Sequence, residues 1–312
     1  MSSKLTREAI GNPSLMRGVL LKTNGPYDLD GTLHSGQAFR WRKLDDGTHE
    51  GIVYGRYFRL SQPRIGGIMV MDPANDDDLS IIAHYLAVDA DQESIEKTLS
   101  MTGGHMQEAV RLSSGLRTLR QEPWETLISF IISANNGVEN ISRVVENLSD
   151  LYGDEICAKT TRRRAFPRPE QLVGAGHDGV WACKAGFRTR GICEAALKAL
   201  AGELDFDAIA SSSYPEAKSM LMKLHGIGEK VADCILLFSM DKPEAFPVDV
   251  WIERIIRLLY FDGERVNHRK IRQWAHERYG ALAGYANQFL FNYGRKFAAS
   301  ELRSMDKASS RD

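Results

Sequence analysis

Residues 224–251 read LHGIGEKVADCILLFSMDKPEAFPVDVW. Gly226 and Gly228 flank Ile227, Lys230 follows two positions later, and Asp249 stands just before an apolar-periodic run. With the preceding MLMK, the pattern is helix, tight turn, helix. The glycines permit positive φ and close backbone approach, and Ile227 is placed to plug into a core. Such a turn leaves amide N–H groups at a helix N-terminus pointing outward, where a phosphate oxygen can bind. GxG alone reads first as an ordinary glycine cap, because short motifs recur by chance.

The neighbours shift that balance. Lys230 falls in the first turn of the second helix, where the positive end of the dipole disfavours its charge. It is a poor structural choice there and a good nucleophile, since desolvation and the dipole both favour the neutral amine that attacks an electrophilic carbon. Asp249 has the position of a helix N-cap. Capping and chemistry are compatible, because a capping carboxylate is held rigid and ionised.

The totals bound what surrounds this hairpin. A chain of 312 residues with 43% hydrophobic and 26% charged content describes an ordinary globular protein of one large or two smaller domains. Forty basic and 41 acidic residues give a formal charge of −1. Nucleic-acid binding must then come from a local basic patch. Cys157, Cys183, Cys193 and Cys234 form no CxxC pair, so zinc, an iron–sulfur cluster and a disulfide framework are not expected. No apolar run reaches the roughly 18 residues of a membrane span. The opening MSSKLTREAIGNPSLMR lacks a signal peptide's apolar stretch. An intracellular monomer is expected, in cytoplasm or nucleoid if bacterial and in the nucleus if eukaryotic.

Between 19 and 72 the short segments VLLK, YDLDGTL, AFRWR, GIVYG, YFRL and GIMVM, punctuated by Asn-Gly, Asp-Gly and Gly-Gly, predict antiparallel strands. Beyond Asp72-Pro73 the period becomes about 3.6. Helices are predicted over 76–88, 105–118, 122–134, 138–151, 180–203, 214–224, 229–241, 250–261, 268–278 and 281–300. Pro123 sits in a first turn, and 158–170 reads as an exposed basic loop. The fold class is α+β: a tail (1–17), a β-sheet subdomain with flanking helices (18–104), a larger helical domain (105–300) and a second tail (301–312). HExxH, GxSxG and Walker patterns are missing, and the eight histidines are not expected to cluster.

The hairpin with its KVADC continuation and PVD resembles the helix-hairpin-helix DNA glycosylases, and specifically the 8-oxoguanine DNA glycosylase/AP lyases. GTLHSGQAFRWRK (31–43), LRQEPWETLISFIISANNGVENI (119–141), GFRTRG (186–191) and AGYANQFLFNYGR (283–295) resemble segments of that family in the same order. The resemblance implies excision of 8-oxoguanine, and of formamidopyrimidine-guanine, from duplex DNA in base excision repair, followed by strand cleavage. Lys230 would attack C1′ to form a Schiff base, and Asp249 would stabilise the cationic sugar. An anion beside developing positive charge in a dry site counts for far more than in water.

A base must be extruded to be read. By resemblance Gly36 offers a carbonyl to the N7 hydrogen that oxidised guanine carries and guanine lacks, a contact worth about 1–3 kcal/mol. Phe291 and Cys234 would sandwich the base, with Phe238 in the same pocket. Asn287 stands where relatives carry glutamine, and Gln288 lies one step on; both are candidates for the Watson–Crick edge. Asn135 would fill the vacated gap, Phe187 wedge the opposite strand and Arg188 read its cytosine. Asn140 replaces a second cytosine-contacting arginine, and Trp251 a phosphate-contacting histidine. Gly226 and Gly228 would approach the backbone, with carbonyls of Met222, Leu224 and Ile227 holding a structural monovalent or calcium ion. Two rivals remain: an alkyl-base glycosylase using the aspartate alone, against which Lys230 argues, and a catalytically silent helix-hairpin-helix DNA-binding module, which would not need the Lys–Asp pair.

Overall fold

The computed structural model describes residues 18–64, 66–156 and 162–297, with the side chains of 296 and 297 excepted. The two predicted tails, Cys157 and the start of the basic loop lie outside these residues. The elements in order are β1 (Gly18–Leu21), α1 (Leu29–Leu33), β2 (Arg42–Lys43), β3 (His49–Val53), β4 (Arg56–Ser61), β5 (Ile68–Met71), α2 (Asp76–Tyr85), α3 (Gln92–Ser100), α4 (Gly104–Leu112), α5 (Pro123–Ile132), α6 (Val138–Tyr152), α7 (Pro169–Ala182), α8 (Thr189–Leu200), α9 (Phe206–Ser211), α10 (Tyr214–Leu221), α11 (Glu229–Ser239), α12 (Val250–Tyr260), α13 (His268–Tyr279) and α14 (Ala283–Phe297).

The antiparallel sheet runs β1-β5-β4-β3-β2, a meander whose first strand closes on its last. Its central hairpin pairs Val53 with Arg56, and Tyr54 and Gly55 both take positive φ, as a two-residue primed turn requires. One face packs Leu21, Leu60, Ile68 and Val70 against Leu29 and Leu33 of α1 and Leu79 and Ile82 of α2. The α+β expectation holds.

Several expected elements differ: AFRWR pairs only at Arg42, the 105–118 helix ends at Leu112, α3 was not expected, and three further differences have clear causes. YDLDGTL contains a helix, not a strand: the Asp28 carboxylate caps it by accepting the Gly31 N–H at 2.9 Å, and a Cβ at Gly31 would collide with that carboxylate. The predicted helix over 180–203 breaks at Lys184 and Gly186, both at positive φ, into the end of α7, a 3₁₀ turn (Gly186–Arg188) and α8. Part of the predicted basic loop instead starts α7 at Pro169, with the Gln171 side chain accepting the Arg168 N–H at 2.8 Å. Glycines 174, 176 and 179 hid the helix's periodicity.

Two further cores complete the molecule. One joins α5, α6, α8, α10 and α11. The other packs Leu99 and Met106 against Ile252, Ile255, Ala286 and Phe289 of α12 and α14. Among the described residues no helix is long and apolar enough to cross a membrane.

Candidate active site

The hairpin folds as its sequence dictates. α10 ends at Leu221, Gly226 turns the chain at φ +84°, and Gly228 is the N-cap of α11 without any side-chain cap. Ile227 is buried in the helical core while Gly226 and Gly228 face outward. A Cβ at Gly228 would meet nothing, so nothing inside the molecule requires glycine there. The hairpin tip is seated by Gly191 of α8, where a Cβ would come within 2.7 Å of the His225 carbonyl. Sequence reading missed that close approach. Leu224 is buried, Met222 is exposed, and the Leu224 carbonyl accepts the Ile227 N–H at 3.2 Å.

Lys230, in the first turn of α11, is half-buried over a pocket lined from the two helical cores and from the Ser35–Gln37 loop. The pocket brings together Lys230, Asp249, Gly36, Cys234, Phe238, Asn287, Gln288 and Phe291, eight of the residues singled out from the sequence. The Lys230 amine donates to the Ser133 hydroxyl at 3.1 Å and lies 5.4 Å from the centre of the Phe130 ring. Phe130 in turn stacks on Phe238, centroids 5.5 Å apart. Neither Phe130 nor Ser133 was anticipated; both lie in the quoted block 119–141, whose apolar run reads as core. Burial pushes the Cys234 thiol up to about 12, against the opposing pull of the Lys230 charge, so it stays protonated at neutral pH.

Asp249 caps α12, its Oδ1 accepting the Ile252 N–H at 2.8 Å. Two residues earlier the Pro247 carbonyl accepts the Asn287 amide at 2.8 Å, so the segment carrying the carboxylate is clamped from α12 and from α14. Gln288, one step on, also lines the pocket. Gly36 has φ +90°, and a Cβ built on it would lie 4.0 Å from the Phe291 ring. The loop is fixed by Gln37, which sequence reading passed over. Its amide donates to the carbonyls of Thr32 (3.0 Å) and Arg117 (2.8 Å) and to the Ser35 hydroxyl (3.0 Å), and accepts the Leu119 N–H at 2.8 Å.

The residues assigned to the opposite strand form a second group outside the pocket. Phe187 is 66% exposed on the 3₁₀ turn, with the Arg188 guanidinium 4.3 Å from its ring centre. Arg188 also donates to the Ala134 carbonyl at 2.8 Å and the Asn135 carbonyl at 2.9 Å, tying this turn to the Asn135 loop. Asn135 itself sits at φ +51°, a conformation asparagine tolerates. Asn140 donates to Asn136 at 2.7 Å and accepts from Arg143, so a guanidinium stands one turn beyond the position where the arginine is missing. Trp251 is exposed, with the Arg254 guanidinium 5.7 Å from its ring centre.

The expectation about histidines fails. His34 Nε2 and His49 Nδ1 lie 3.1 Å apart, with Asp30 beside them. Fifteen residues separate the two histidines in sequence, and only the turn of α1 into the β2–β3 hairpin brings them together.

A glycine hairpin presenting a lysine and a rigid aspartate to a pocket, beside an exposed aromatic–arginine turn, defines a base-excision class of protein. Residues 19–127 match the model of the 8-oxoguanine DNA glycosylase N-terminal domain, and 128–280 that of the HhH-GPD superfamily base excision DNA repair proteins. A probable N-glycosylase/DNA lyase of Methanothermobacter thermautotrophicus is 30% identical over 297 residues, covering 87% of this chain and 95% of its own. Two solved structures are similar along nearly their whole length. MBOgg1 with a low-affinity DNA ligand has TM-score 0.86 at 34% identity, covering 94% of this chain and 99% of its own. Clostridium acetobutylicum 8-oxoguanine glycosylase/lyase, bound to double-stranded DNA with cytosine opposite 8-oxoG, has TM-score 0.84 at 32% identity, covering 89% and 95%. The chain belongs to the 8-oxoguanine DNA glycosylase/AP lyase family of the helix-hairpin-helix superfamily.

Proposed function

We propose that this chain is an intracellular bifunctional DNA glycosylase/AP lyase that flips 8-oxoguanine, and formamidopyrimidine-guanine, out of duplex DNA, excises it and nicks the strand. The observation that carries this reading is the single pocket lined by Lys230, Asp249, Gly36 and Phe291. An amine and a carboxylate line that pocket, and an aromatic ring stands where an extruded base could stack.

The Lys230 lone pair forms a bond to C1′ as the glycosidic bond breaks, and the base leaves with the bonding pair. Asp249 stabilises the positive charge that develops on the sugar. Opening of the sugar ring gives a protonated Schiff base. Loss of a 2′ proton then expels the 3′ phosphate by β-elimination, and water releases the lysine. Phe130, Phe238 and the protonated Cys234 keep the surroundings apolar, which strengthens the aspartate's field. Gly36 addresses the base through its carbonyl, Asn287 or Gln288 through its amide. Gly226 and Gly228 seat the backbone phosphate. Asn135, Phe187 and Arg188 hold the opposite strand, with Asn140 and Trp251 loosening cytosine and phosphate contacts relative to the family pattern. A monovalent or calcium ion on the carbonyls of Met222, Leu224 and Ile227 would brace the hairpin; the Leu224 oxygen, already accepting one N–H, keeps a second lone pair for it.

The test is incubation with duplexes carrying 8-oxoguanine opposite each of the four bases, with borohydride present, beside Lys230→Gln. A covalent adduct in the parent and none in the variant is expected. Release of base without any adduct would replace this mechanism by one using the aspartate alone. Binding without either would leave a DNA-binding module.

A further inference from the structure

The Asp30, His34 and His49 cluster lies apart from the pocket and plays no part in the proposed reaction. We propose that these three side chains form a binding site for a zinc-class divalent metal ion.

The geometry favours a shared ion. One ligand atom from each residue lies within 4.8 Å of the other two. His34 Nε2 is 3.1 Å from His49 Nδ1, while Asp30 Oδ1 is 3.7 Å from the other nitrogen, Nε2, so an ion would take one His49 nitrogen and the remaining partner would turn toward it. Ligands on a tetrahedral zinc with bonds of about 2.0–2.1 Å stand roughly 3.3 Å from one another, so side-chain rotations that draw in three atoms already within 4.8 Å would complete a coordination sphere. The ring centroids are 5.2 Å apart at 38°, so the two imidazoles meet through their nitrogens and do not stack. Two imidazoles and one carboxylate suit zinc, cobalt(II) or nickel(II) and are a poor set for calcium or magnesium.

The scaffold is rigid where a site needs it to be. Asp30 is in α1, His34 ends that helix as its C-cap, and His49 opens β3 opposite Lys43. His49 is only 4% exposed, yet the polar neighbours of its ring nitrogens are His34 and Asp30. A buried imidazole facing a second ring and a carboxylate is costly unless its polar atoms are satisfied. His34 and Asp30 are exposed, which gives an ion its entry path.

Lys43 sharpens the proposal. Its ammonium lies 2.9 Å from Asp30 Oδ1, neutralising the carboxylate as a metal ion would. The lysine is half-exposed and can swing into solvent, so ion and ammonium compete for Asp30. Removing the lysine should tighten metal binding, an effect that scattered surface histidines would not show.

The experiment is calorimetric titration of tag-free full-length protein with zinc chloride, repeated with cobalt(II) to read the visible absorption of a tetrahedral site. One saturable equivalent is expected in the parent, weakened about ten-fold or more in His34→Ala and tightened in Lys43→Met. His34 is exposed, so that variant keeps its fold, which its melting curve verifies. Absence of saturable one-equivalent binding, or binding that His34→Ala leaves unchanged, overturns the proposal.

Discussion

Gln37→Leu tests how the reading loop is held. The substitution keeps the side chain's bulk and removes four hydrogen bonds at one point. Thr32's carbonyl retains a bond from the Ser35 hydroxyl at 3.2 Å, so it is not orphaned. The Arg117 carbonyl and the Leu119 N–H have no such substitute and face a buried leucine instead. Two buried orphans at about 1–3 kcal/mol each place the loss of stability at roughly 2–6 kcal/mol. For a chain of this size that is a fall in Tm on the order of 10 °C. Because Gly36 is next in sequence, excision of 8-oxoguanine should fall further than the remaining folded fraction accounts for at 25 °C, while binding of a duplex with an abasic site is retained. Calorimetric melting and single-turnover excision are the assays. A Tm within about 1 °C of the parent, with unchanged excision, would refute the idea that Gln37 fixes the loop.

Glu125 is pushed up to about 7 by burial, against the partial relief of Arg40 3.9 Å away. A raised carboxyl contributes stability below its unfolded value near 4.5 and loses it as pH climbs through 7. The full shift would be worth about 3 kcal/mol, but the side chain keeps 19% of its surface open to a cavity, so ~1–2 kcal/mol is expected. Glu125→Gln should therefore stabilise at pH 8 and change little at pH 4.5 in urea melts; destabilisation at pH 8 would make the charge a satisfied ion-pair partner. Gly228→Ala should leave Tm unchanged, since its Cβ meets nothing, and weaken duplex binding in a fluorescence titration. Equal affinity would mean DNA does not approach that turn. Asp249→Asn keeps a capping oxygen, so stability should change by less than about 1 kcal/mol while excision falls at least a hundred-fold in single-turnover assays. Retained excision would remove Asp249 from the chemistry.

How much was legible followed from range. The hairpin, the N-cap at Asp249 and the strands at GIVYG and YFRL are local, set by glycine, capping and alternation, and they fold as expected. YDLDGTL failed because alternating polarity mimics a strand when Asp28 folds over Gly31. The split of the 180–203 helix depended on Lys184 adopting positive φ, which no residue-type preference announces. Lys230 and Asp249 were legible in residue type and position, whereas Gly36 and the α14 aromatic were placed in the pocket by the family resemblance. Ser133, Gln37 and Gly191 act only through partners far along the chain, and the His34–His49 contact needs the β2–β3 register.

Asp249 illustrates why structural and chemical readings of one residue need not compete. A carboxylate asked to stabilise a transient cation must neither rotate toward it early nor lose its charge, because preorganised dipoles act at no cost when the charge appears. The cap supplies that restraint: one oxygen is committed to the Ile252 N–H, and the chain before it is pinned through Pro247 to Asn287. Lys230 is treated oppositely. It hangs from an uncapped helix start with neutral partners, the Ser133 hydroxyl and the Cys234 thiol, and among the described residues no ion pair joins it to Asp249. On the proposed mechanism, the scaffold thus fixes the group that must not move and holds through neutral contacts the group that must travel to carbon.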